Sequence, residues 1–424
     1  MKQIPTYIIN LKERPDRLKH AKTEFLEKPE FRLNVIDAIP DPIGALGLWK
    51  SVLLAIEASN KGNEDYLLIC EDDHMFTQHY DIALLIENIK NAERYHADVL
   101  LGGVHWFDTA ARVTDRLYWV DNFTATHFIV IYKRFYDILL NYSFKNTDDL
   151  DLVISKLSDR KFLLHPFISI QKDFGYSDIR KEQNMHSESQ FEVTSSAIHR
   201  ISKISNHFLS FRIPDEKIEE KFSVPTFTII AAENSLPISW KVNDLPEFEI
   251  IQSFTSEGKP GSELGAIYSN IIRCAIEKEF ELIVICGDKH RFTQEYDFEI
   301  MAKGILEGYR MGADIIFGGV LDYGLAVRAS ENLMWINQLV SSDFIIIFNR
   351  FFEIVLAKCS AGDSDFNPSA LTDNKFVLNR QISFNTDWII EEPDKSLTRL
   401  DMPRMLDRTR RKLANHIRAA KLLE

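Results

Sequence analysis

The chain has 424 residues, 45% of them hydrophobic and 27% charged, so it is long enough for two domains of ordinary globular composition. Its net charge of −13 argues against a general nucleic-acid-binding protein, which would carry a basic excess. The four cysteines are too few for a disulfide framework, and no apolar run has the length of a signal peptide or a transmembrane helix, so we expect a cytoplasmic protein.

Strand-like and helix-like segments alternate along the first half of the chain. Short apolar runs rich in β-branched residues predict strands, and apolar residues three or four apart predict helices. The predicted strands are 6–11, 32–38, 66–70, 99–101 and 128–132, and the predicted helices include 48–59 and 80–92. This alternation is typical of an α/β layered sheet.

The same pattern begins again in the second half. VPTFTIIAAE (224–233) echoes IPTYIIN (4–10), and residues 70–140 match the segment 216 positions later with 26 identities in 71 positions. We therefore predict an α/β fold class with two Rossmann-like domains in tandem. The predicted parts are a first domain at 1–178, a linker at 179–222, a second domain at 223–395 and a basic tail at 396–424.

An acidic triplet distinguishes the two copies. Glu71, Asp72 and Asp73 follow a predicted buried strand, whereas residues 287–289 at the matching positions read Gly-Asp-Lys. Ligands of open α/β sheets bind beyond the carboxyl ends of the strands, where Mg²⁺ or Mn²⁺ would accept such oxygen ligands. A cation that bridges the triplet and a diphosphate would support sugar transfer from a nucleotide donor. A solvated acidic turn is the alternative, and the persistence of Asp72 as Asp288 leaves a structural role open for it.

Several segments together resemble glycosyltransferase family 25, which includes lipooligosaccharide galactosyltransferases. In chain order they are YIINLKERPDR (7–17), VIDA (35–38), LGLWKS (46–51), LLICEDD (67–73), TATHFIVIYKRFYDIL (124–139) and HPFISIQKDFGYSDI (165–179). The resemblance implies a GT-A fold and an inverting transfer, dependent on Mn²⁺ or Mg²⁺, of a sugar from a UDP-sugar. The sugar is commonly galactose, and the acceptor would be a surface glycan or glycolipid, as in lipopolysaccharide biosynthesis.

The resemblance also implies roles for individual residues. The nucleotide sugar would lie near Asn10, Arg14, Arg17, Asp37 and Ser51, and the metal would lie at Glu71, Asp72 and Asp73. Family members often have Ser-His where this chain has Ser51-Val52, so a donor contact from that histidine is lost or replaced. Arg14 and Arg17 have no counterpart in the opening of the second copy, which favours a functional role over the alternative of solvated helix charges.

Further candidates come from the residues themselves. An inverting transfer needs a carboxylate that takes the proton of the acceptor hydroxyl, and Asp151 is the first candidate and Asp149 the second. The alternative is that a helix N-terminus favours acidic residues there. His165 is a candidate late ligand to the metal, or else a buried core histidine. Trp106 follows a Gly-Gly turn and is a candidate for stacking on a sugar ring.

We therefore expect a glycosyltransferase whose catalysis is confined to the first domain, with a degenerate second copy. The alternative is a non-catalytic protein that binds a nucleotide sugar or a glycan. The tail carries eight Lys or Arg and three Asp or Glu, and Leu406, Leu413, Ile417 and Ala420 share one helical face. For this tail a packed helix and a peripheral contact with anionic lipid at the inner membrane are both open. The sequence leaves the oligomeric state open.

Overall fold

The computed structural model describes residues 3–174, 187–211, 222–231, 245–256, 264–359, 366–389 and 402–423. The chain divides into two compact units. Unit 1 comprises Met1–Lys203 and Arg418–Glu424, and unit 2 comprises Ile204–Ile417. The division falls inside the predicted linker, of which Ser187–Leu209 form a helix and 179–186 and 212–221 lie outside the described residues.

Unit 1 is built on an eight-stranded mixed sheet and two small two-stranded sheets. Its strands are β1 (Ile4–Asn10), β2 (Phe31–Asp37), β3 (Tyr66–Glu71), β4 (His74–Phe76), β5 (Val99–Leu101), β6 (Trp106–Phe107), β7 (Ala110–Arg112), β8 (Leu117–Val120), β9 (Phe123–Thr124), β10 (Phe128–Tyr132), β11 (Lys161–Leu164) and β12 (Ser169–Gln171). Its helices are α1 (Pro15–Glu24), α2 (Gly44–Lys61), α3 (Ile82–Arg94), α4 (Lys133–Leu140), α5 (Leu150–Leu157) and the first part of α6 (Ser187–Leu209). The large sheet has the order β2-β1-β3-β10-β5-β11-β8-β7.

The central strands of this sheet are continuous apolar runs. β1 and β10 are buried along their whole length, and β3 is buried except at its two ends. Runs of this kind are typical of strands that are covered on both faces, whereas strands with one face in water alternate apolar and polar residues. The core of unit 1 is a cluster that includes Ile8, Leu68, Trp119, Phe128 and Phe162.

Unit 2 repeats this architecture. Its strands are β13 (Val224–Ala231), β14 (Phe248–Ser256), β15 (Leu282–Gly287), β16 (His290–Phe292), β17 (Ile315–Phe317), β18 (Ala326–Arg328), β19 (Leu333–Ile336), β20 (Phe344–Phe348), β21 (Lys375–Leu378) and β22 (Ser383–Asn385). Its helices are α7 (Leu264–Glu277), α8 (Phe298–Arg310), α9 (Asn349–Lys358), most of α10 (Met402–Leu423) and two short 3-10 helices, Pro368–Leu371 and Thr386–Ile389. The large sheet has the order β14-β13-β15-β20-β17-β21-β19-β18, which matches unit 1 strand for strand. The predicted fold class, two Rossmann-like α/β domains in tandem, is confirmed.

Buried polar contacts recur at matching positions of the two units. The indole N–H of Trp119 donates to the carbonyl oxygen of Asp159 at 2.7 Å, and the indole N–H of Trp335 donates to that of Asp373 at 2.7 Å. A buried indole needs a partner for its N–H, so both tryptophans fix a loop to a strand. Residues that both copies keep therefore include contacts of the architecture.

The basic tail is largely the helix α10, in which Leu406 and Leu413 of the predicted apolar face are buried and Ile417 and Ala420 are half-buried. Leu406 packs in a cluster with Leu321 and Trp388, and Leu413 belongs to the core of unit 2. Leu406 and Leu413 are thus packed against protein, as the packed-helix alternative expects, and a lipid contact of the tail stays a prediction. Residues 396–401 of the tail lie outside the described part of the chain. None of the described helices combines the length and the apolar character needed to cross a membrane.

Candidate active site

Unit 1 contains an open cavity of about 970 Å³ beyond the carboxyl ends of β1, β2 and β3. β1 lies between the other two strands and pairs with both in parallel, so this edge is the point where the strand order reverses. Ligands of open α/β sheets bind at such a point. The cavity is lined by Ile9, Leu11, Glu13, Arg14, Arg17, Ala38, Ile39, Pro40, Asp41, Pro42, Gly44, Ala45, Gly47, Leu48, Glu71, Asp72, Asp73, His105, Thr124, Ala125, Thr126, Asp149, Leu150, Asp151, Leu152, Gln171, Lys172, Asp173 and Phe174.

The structure brings Arg17 and the acidic triplet together. α1 begins at Pro15, directly after β1, and its first turn carries Arg17 inward, where the side chain is only 7% exposed. Nη1 of Arg17 lies 3.1 Å from Oδ1 of Asp72, and Nη2 lies 3.2 Å from Oδ2 of Asp73. The ring of Phe174 covers the guanidinium, with Cζ 4.7 Å from the ring centroid. One buried cation therefore contacts two carboxylates at the base of the cavity.

Neutral hydrogen-bond donors hold two further oxygens of the triplet, one of Glu71 and one of Asp73. The hydroxyl of Thr126 donates to Oε1 of Glu71 at 2.9 Å, and Nε2 of Gln171 donates to Oδ1 of Asp73 at 3.2 Å. Gln171 is in place because β12 pairs with β4, the strand that follows the triplet. The orientation of the triplet thus depends on two segments that are distant from it in sequence, the loop between β9 and β10 and the strand β12.

The carboxylates of the triplet raise one another's proton affinity. Burial, with a further contribution from Asp73, raises the pKa of Glu71 to about 8. Burial raises the pKa of Asp72 to about 6, although Arg17 opposes this shift. The pKa of Asp73 is also raised by burial, against the effect of Arg17. Crowded, poorly solvated negative charge is an environment that a cation would stabilise.

The residues present fit a divalent cation in kind, since all three offer hard oxygen ligands. Their arrangement is not that of an assembled metal centre. Among the described residues there is no group of three or more His, Cys, Asp or Glu side chains placed to hold a metal ion. Arg17 instead contacts one oxygen each of Asp72 and Asp73.

The two proton-acceptor candidates line the same cavity but differ in their contacts. Oδ2 of Asp151 accepts a hydrogen bond from the backbone N–H of Ala125 at 3.2 Å, and Oδ1 accepts one from the N–H of Leu152 at 2.8 Å. Asp149 is exposed at the N-cap of α5, and its side chain makes no capping hydrogen bond. Asp151 is therefore engaged with the backbone of the cavity wall, whereas Asp149 faces solvent.

Two of the residues predicted to bind the nucleotide sugar are buried beside the cavity. Asn10, at the end of β1, donates to the carbonyl oxygen of Leu11 at 2.6 Å. Ser51 is fully buried in α2, where its hydroxyl donates to the carbonyl oxygen of Gly47 at 2.7 Å and accepts from the N–H of Ile39 at 2.9 Å. Neither Asn10 nor Ser51 lines the cavity. Both hold backbone segments that do.

Asp37 and Trp106 lie outside the cavity lining, on the surface of unit 1. Asp37 forms an exposed ion pair with Lys12 at 3.1 Å. Trp106 is 44% exposed, and its partner across the β6–β9 ladder is Thr124, which does line the cavity. The structure thus places Trp106 near the rim and Asp37 in solvent.

His165 is not brought to the carboxylates. It follows β11, does not line the cavity, and makes edge contacts with the rings of Tyr118 and Phe167. Burial lowers its pKa to about 4. This is the environment of the core histidine that was the alternative to a metal ligand.

One wall of the cavity consists of residues that no sequence motif singled out. The segment 38–42 reaches the cavity because α2 packs closely against it: a Cβ at Gly47 would lie 2.5 Å from the carbonyl oxygen of Ile39. In this segment Asp41 accepts hydrogen bonds from Lys50 at 2.8 Å and from the N–H of Ile43 at 2.9 Å, and the bond from Lys50 is the main cause of its lowered pKa. The turn sequence DPIG (41–44), with its proline and its final glycine, was the feature of the sequence that could have indicated this wall.

In unit 2 a carboxylate occupies the space next to the glycine that replaces Glu71. A Cβ at Gly287 would lie 3.0 Å from Cγ of Asp343, which directly precedes the neighbouring antiparallel strand β20 and matches His127. Asn385, at the end of β22, donates to Oδ2 of Asp343 at 2.5 Å. Unit 2 therefore has a carboxylate beside this position, on the residue that precedes β20 instead of at the end of β15.

A lysine provides the positive charge of the unit 2 region. Lys289, at the position of Asp73, forms an ion pair with Asp387 at 2.6 Å. The residues that match Arg14 and Arg17 fall within 232–244, outside the described part of the chain. Among the described residues of this region, the positive charge is therefore the side chain of Lys289, at the position where unit 1 has the third carboxylate, Asp73.

Three solved structures are similar to parts of this chain at low identity. The glycosyltransferase GlyE of Streptococcus pneumoniae matches with 9% identity and a TM-score of 0.29, over 68% of this chain and 91% of GlyE. Apo UDP-glucose pyrophosphorylase matches with 12% identity and a TM-score of 0.27, over 46% of this chain and 81% of that enzyme. A197 from STIV matches with 13% identity and a TM-score of 0.31, over 43% of this chain and 95% of A197. TM-scores this low carry no argument about the present chain.

No protein-family model matches the chain, and no curated protein matches it. The resemblance to glycosyltransferase family 25 therefore stays a prediction from the residues.

Proposed function

We propose that unit 1 is a divalent-cation-dependent, inverting glycosyltransferase that moves a sugar, galactose in the first instance, from a UDP-sugar to a glycan or glycolipid acceptor. The observation that carries the proposal is the convergence of Arg14, Arg17, the triplet 71–73 and the α5 carboxylates on one cavity at the switch point of the sheet. Its volume of about 970 Å³ suits a ligand the size of a nucleotide sugar. The family 25 resemblance of the sequence supports the same reaction.

The donor diphosphate would lie between the first turn of α1 and the triplet. Arg14 and Arg17 both line the cavity, and a guanidinium recognises phosphate oxygens through paired, charge-assisted hydrogen bonds. Glu71, Asp72 and Asp73 would hold Mg²⁺ or Mn²⁺, and the ion when bound supplies positive charge to the departing diphosphate. The segment 38–48 would then contact the nucleoside, because most of its residues line the same cavity.

The acceptor would enter on the side of α5. In an inverting transfer a carboxylate takes the proton of the acceptor hydroxyl as the hydroxyl oxygen attacks the anomeric carbon and the nucleoside diphosphate leaves. Asp149 suits this task better than Asp151, because the Asp149 carboxylate is exposed and makes no capping bond. Asp151 would position the wall by holding Ala125.

One observation favours the alternative, a protein that binds a nucleotide sugar without turnover. Arg17 contacts two of the three carboxylates, and the described residues form no assembled metal centre. A binding protein would bind UDP with Arg14 and Arg17 and would release no sugar. Binding by calorimetry and turnover by UDP release therefore distinguish the two functions.

The proposal is tested by UDP release from a panel of UDP-sugars, with and without Mn²⁺, by wild type, Asp73→Ala and a control variant of unit 2, Asp288→Ala, at the position that matches Asp72. We expect Mn²⁺-dependent turnover by wild type and Asp288→Ala and a loss of at least about 100-fold in Asp73→Ala, because removal of a charge-stabilising group costs that much in comparable sites. Equal turnover by wild type and Asp73→Ala would contradict the metal assignment. UDP binding without any turnover would support the alternative.

A further inference from the structure

Arg17 lies where its charge competes with a metal ion. Its guanidinium contacts Asp72 and Asp73 at 3.1 and 3.2 Å, and the two carboxylates are only 9% and 15% exposed. At such a depth the attraction between these charges is screened far less than at a surface. An oxygen that accepts a hydrogen bond from the guanidinium is also less available as a ligand, and a divalent cation beside it would be repelled.

The guanidinium also faces the space in which a diphosphate would lie. Arg17 lines the cavity together with Arg14, and Phe174 covers its guanidinium at 4.7 Å. Arginine is suited to exchange a carboxylate for a phosphate, since its planar fork fits both groups.

We propose that Arg17 is the resident counter-ion of Asp72 and Asp73 and yields this place to a divalent cation when a diphosphate is present to receive its guanidinium. The inference rests on the proposed function and adds to it that the cation and the donor bind cooperatively. Without donor, Arg17 keeps the affinity for the cation low. With donor, the guanidinium contacts the phosphates and the two carboxylates become ligands.

In unit 2 a positive charge lies in the chain itself, at the position of one carboxylate of the triplet. Lys289 stands at the position of Asp73 and pairs with Asp387 at 2.6 Å, so that region carries its cation in the chain itself. In unit 1 the corresponding charge belongs to a side chain from a different element, α1, and is therefore exchangeable.

The test is the binding of Mn²⁺ to full-length protein, measured by the electron paramagnetic resonance signal of free Mn²⁺, with and without UDP. The variants are Arg17→Gln and, as the matched control from the same turn, Arg14→Gln. Without UDP, we expect Arg17→Gln to bind Mn²⁺ about 5- to 150-fold more tightly than wild type, the usual range of coupling between two sites. UDP should tighten Mn²⁺ binding to wild type and to Arg14→Gln by a larger factor than to Arg17→Gln, in which only the ligands of the diphosphate add to the effect.

The outcomes separate this inference from the proposed function. Equal or weaker Mn²⁺ binding by Arg17→Gln, in a protein whose wild type binds Mn²⁺ together with UDP, overturns the inference alone. If Arg14→Gln binds Mn²⁺ without UDP as tightly as Arg17→Gln does, the inference is also overturned, because the effect would then come from the removal of any nearby positive charge. Wild type that binds neither Mn²⁺ nor UDP overturns both.

Thermal denaturation serves as the second measurement, since Arg17→Gln leaves two buried carboxylates uncompensated and lowers stability. We expect Mn²⁺ to raise the melting temperature of Arg17→Gln more than that of wild type. An equal or smaller rise in the variant contradicts the exchange of Arg17 for the cation.

Discussion

The carboxylate of Asp151 accepts a hydrogen bond from the backbone N–H of Ala125 at 3.2 Å, and Ala125 has a φ of +88°. This left-handed backbone is uncommon for a residue other than glycine and costs on the order of 1–2 kcal/mol. The next residue, Thr126, donates to Glu71. A strained three-residue segment, 124–126, thus connects α5 to the acidic triplet.

From this contact we predict different effects for the two α5 carboxylates. Asp149→Asn should lower kcat by about 100- to 10,000-fold, the usual contribution of a proton acceptor. Asp151→Asn should lower kcat by less than about tenfold, because an amide oxygen can still accept from the N–H of Ala125, whereas Asp151→Ala should lose more. Steady-state kinetics on UDP release would measure this, and the reverse order of effects would make Asp151 the proton acceptor.

The stability of the protein should fall as the pH rises through the range in which Glu71 ionises. Its folded pKa is raised from 4.5 to about 8, so the folded state holds the proton more tightly than the unfolded state. Its contribution to stability is therefore present below pH 4.5 and is lost as the pH rises through about 8. Asp72, raised from 3.8 to about 6, acts in the same direction at lower pH.

Glu71→Gln tests this dependence, because the amide keeps the shape and has no charge. In buffer without divalent cations at pH 8, the variant should melt about 2–4 °C higher than wild type, which corresponds to roughly 1 kcal/mol for a domain of this size. At pH 5 the two should melt together. A variant that is less stable than wild type at pH 8 would show that the ionised carboxylate is stabilising.

Ser51→Ala should act on the donor-binding wall without touching the donor. The change removes the side-chain acceptor of the N–H of the half-buried Ile39, a hydrogen bond that contributes about 0.5–1.5 kcal/mol. Because Ile39 lines the cavity, we expect weaker UDP binding, with a rise in KM and little change in kcat. Calorimetry and kinetics would measure this; lost kcat at unchanged KM would instead place Ser51 in the chemical step.

The exchanged carboxylate of unit 2 can be tested by a double-mutant cycle. Gly287→Glu alone should destabilise the protein by about 1–3 kcal/mol, because its Cβ would lie 3.0 Å from the carboxyl carbon of Asp343. Combining it with Asp343→His, which restores the pair found in unit 1, should recover part of this loss, with a coupling of about 0.5–3 kcal/mol. If the changes in the free energy of unfolding, measured by chemical denaturation, simply add in the double variant, the side chains at 287 and 343 do not interact.

Part of the site follows from the sequence alone. Residues 66–70 were predictable as a buried strand, and the carboxyl ends of parallel strands meet at one edge, so Arg17 and Asp73 could be assigned to one cavity. The comparison of the two copies added weight to the residues that only the first copy keeps. The comparison could not show that Asp343 places a carboxylate beside Gly287, because Asp343 comes from a different segment, just before β20.

Other features depend on packing that a sequence pattern does not record. Serine and histidine, the residue types of Ser51 and His165, occur both as ligands and as buried structural groups. Their neighbours in the folded structure determine which role each residue has. The helix α6 lies in a segment whose serine and charged residues read as a linker. Its buried residues Phe191, Ile198 and Ile201 are spaced 7 and 3 apart, a helical pattern that the polar composition obscured.

The most direct test of the central claim is a crystal structure of the protein with UDP and Mn²⁺, with anomalous scattering used to locate the manganese. We predict an anomalous peak in the unit 1 cavity within about 2.2 Å of oxygens from Asp73 and from the diphosphate, with the guanidinium of Arg17 on the phosphates. UDP bound elsewhere, or UDP in this cavity without manganese at the triplet and with Arg17 still on Asp72 and Asp73, would contradict the account.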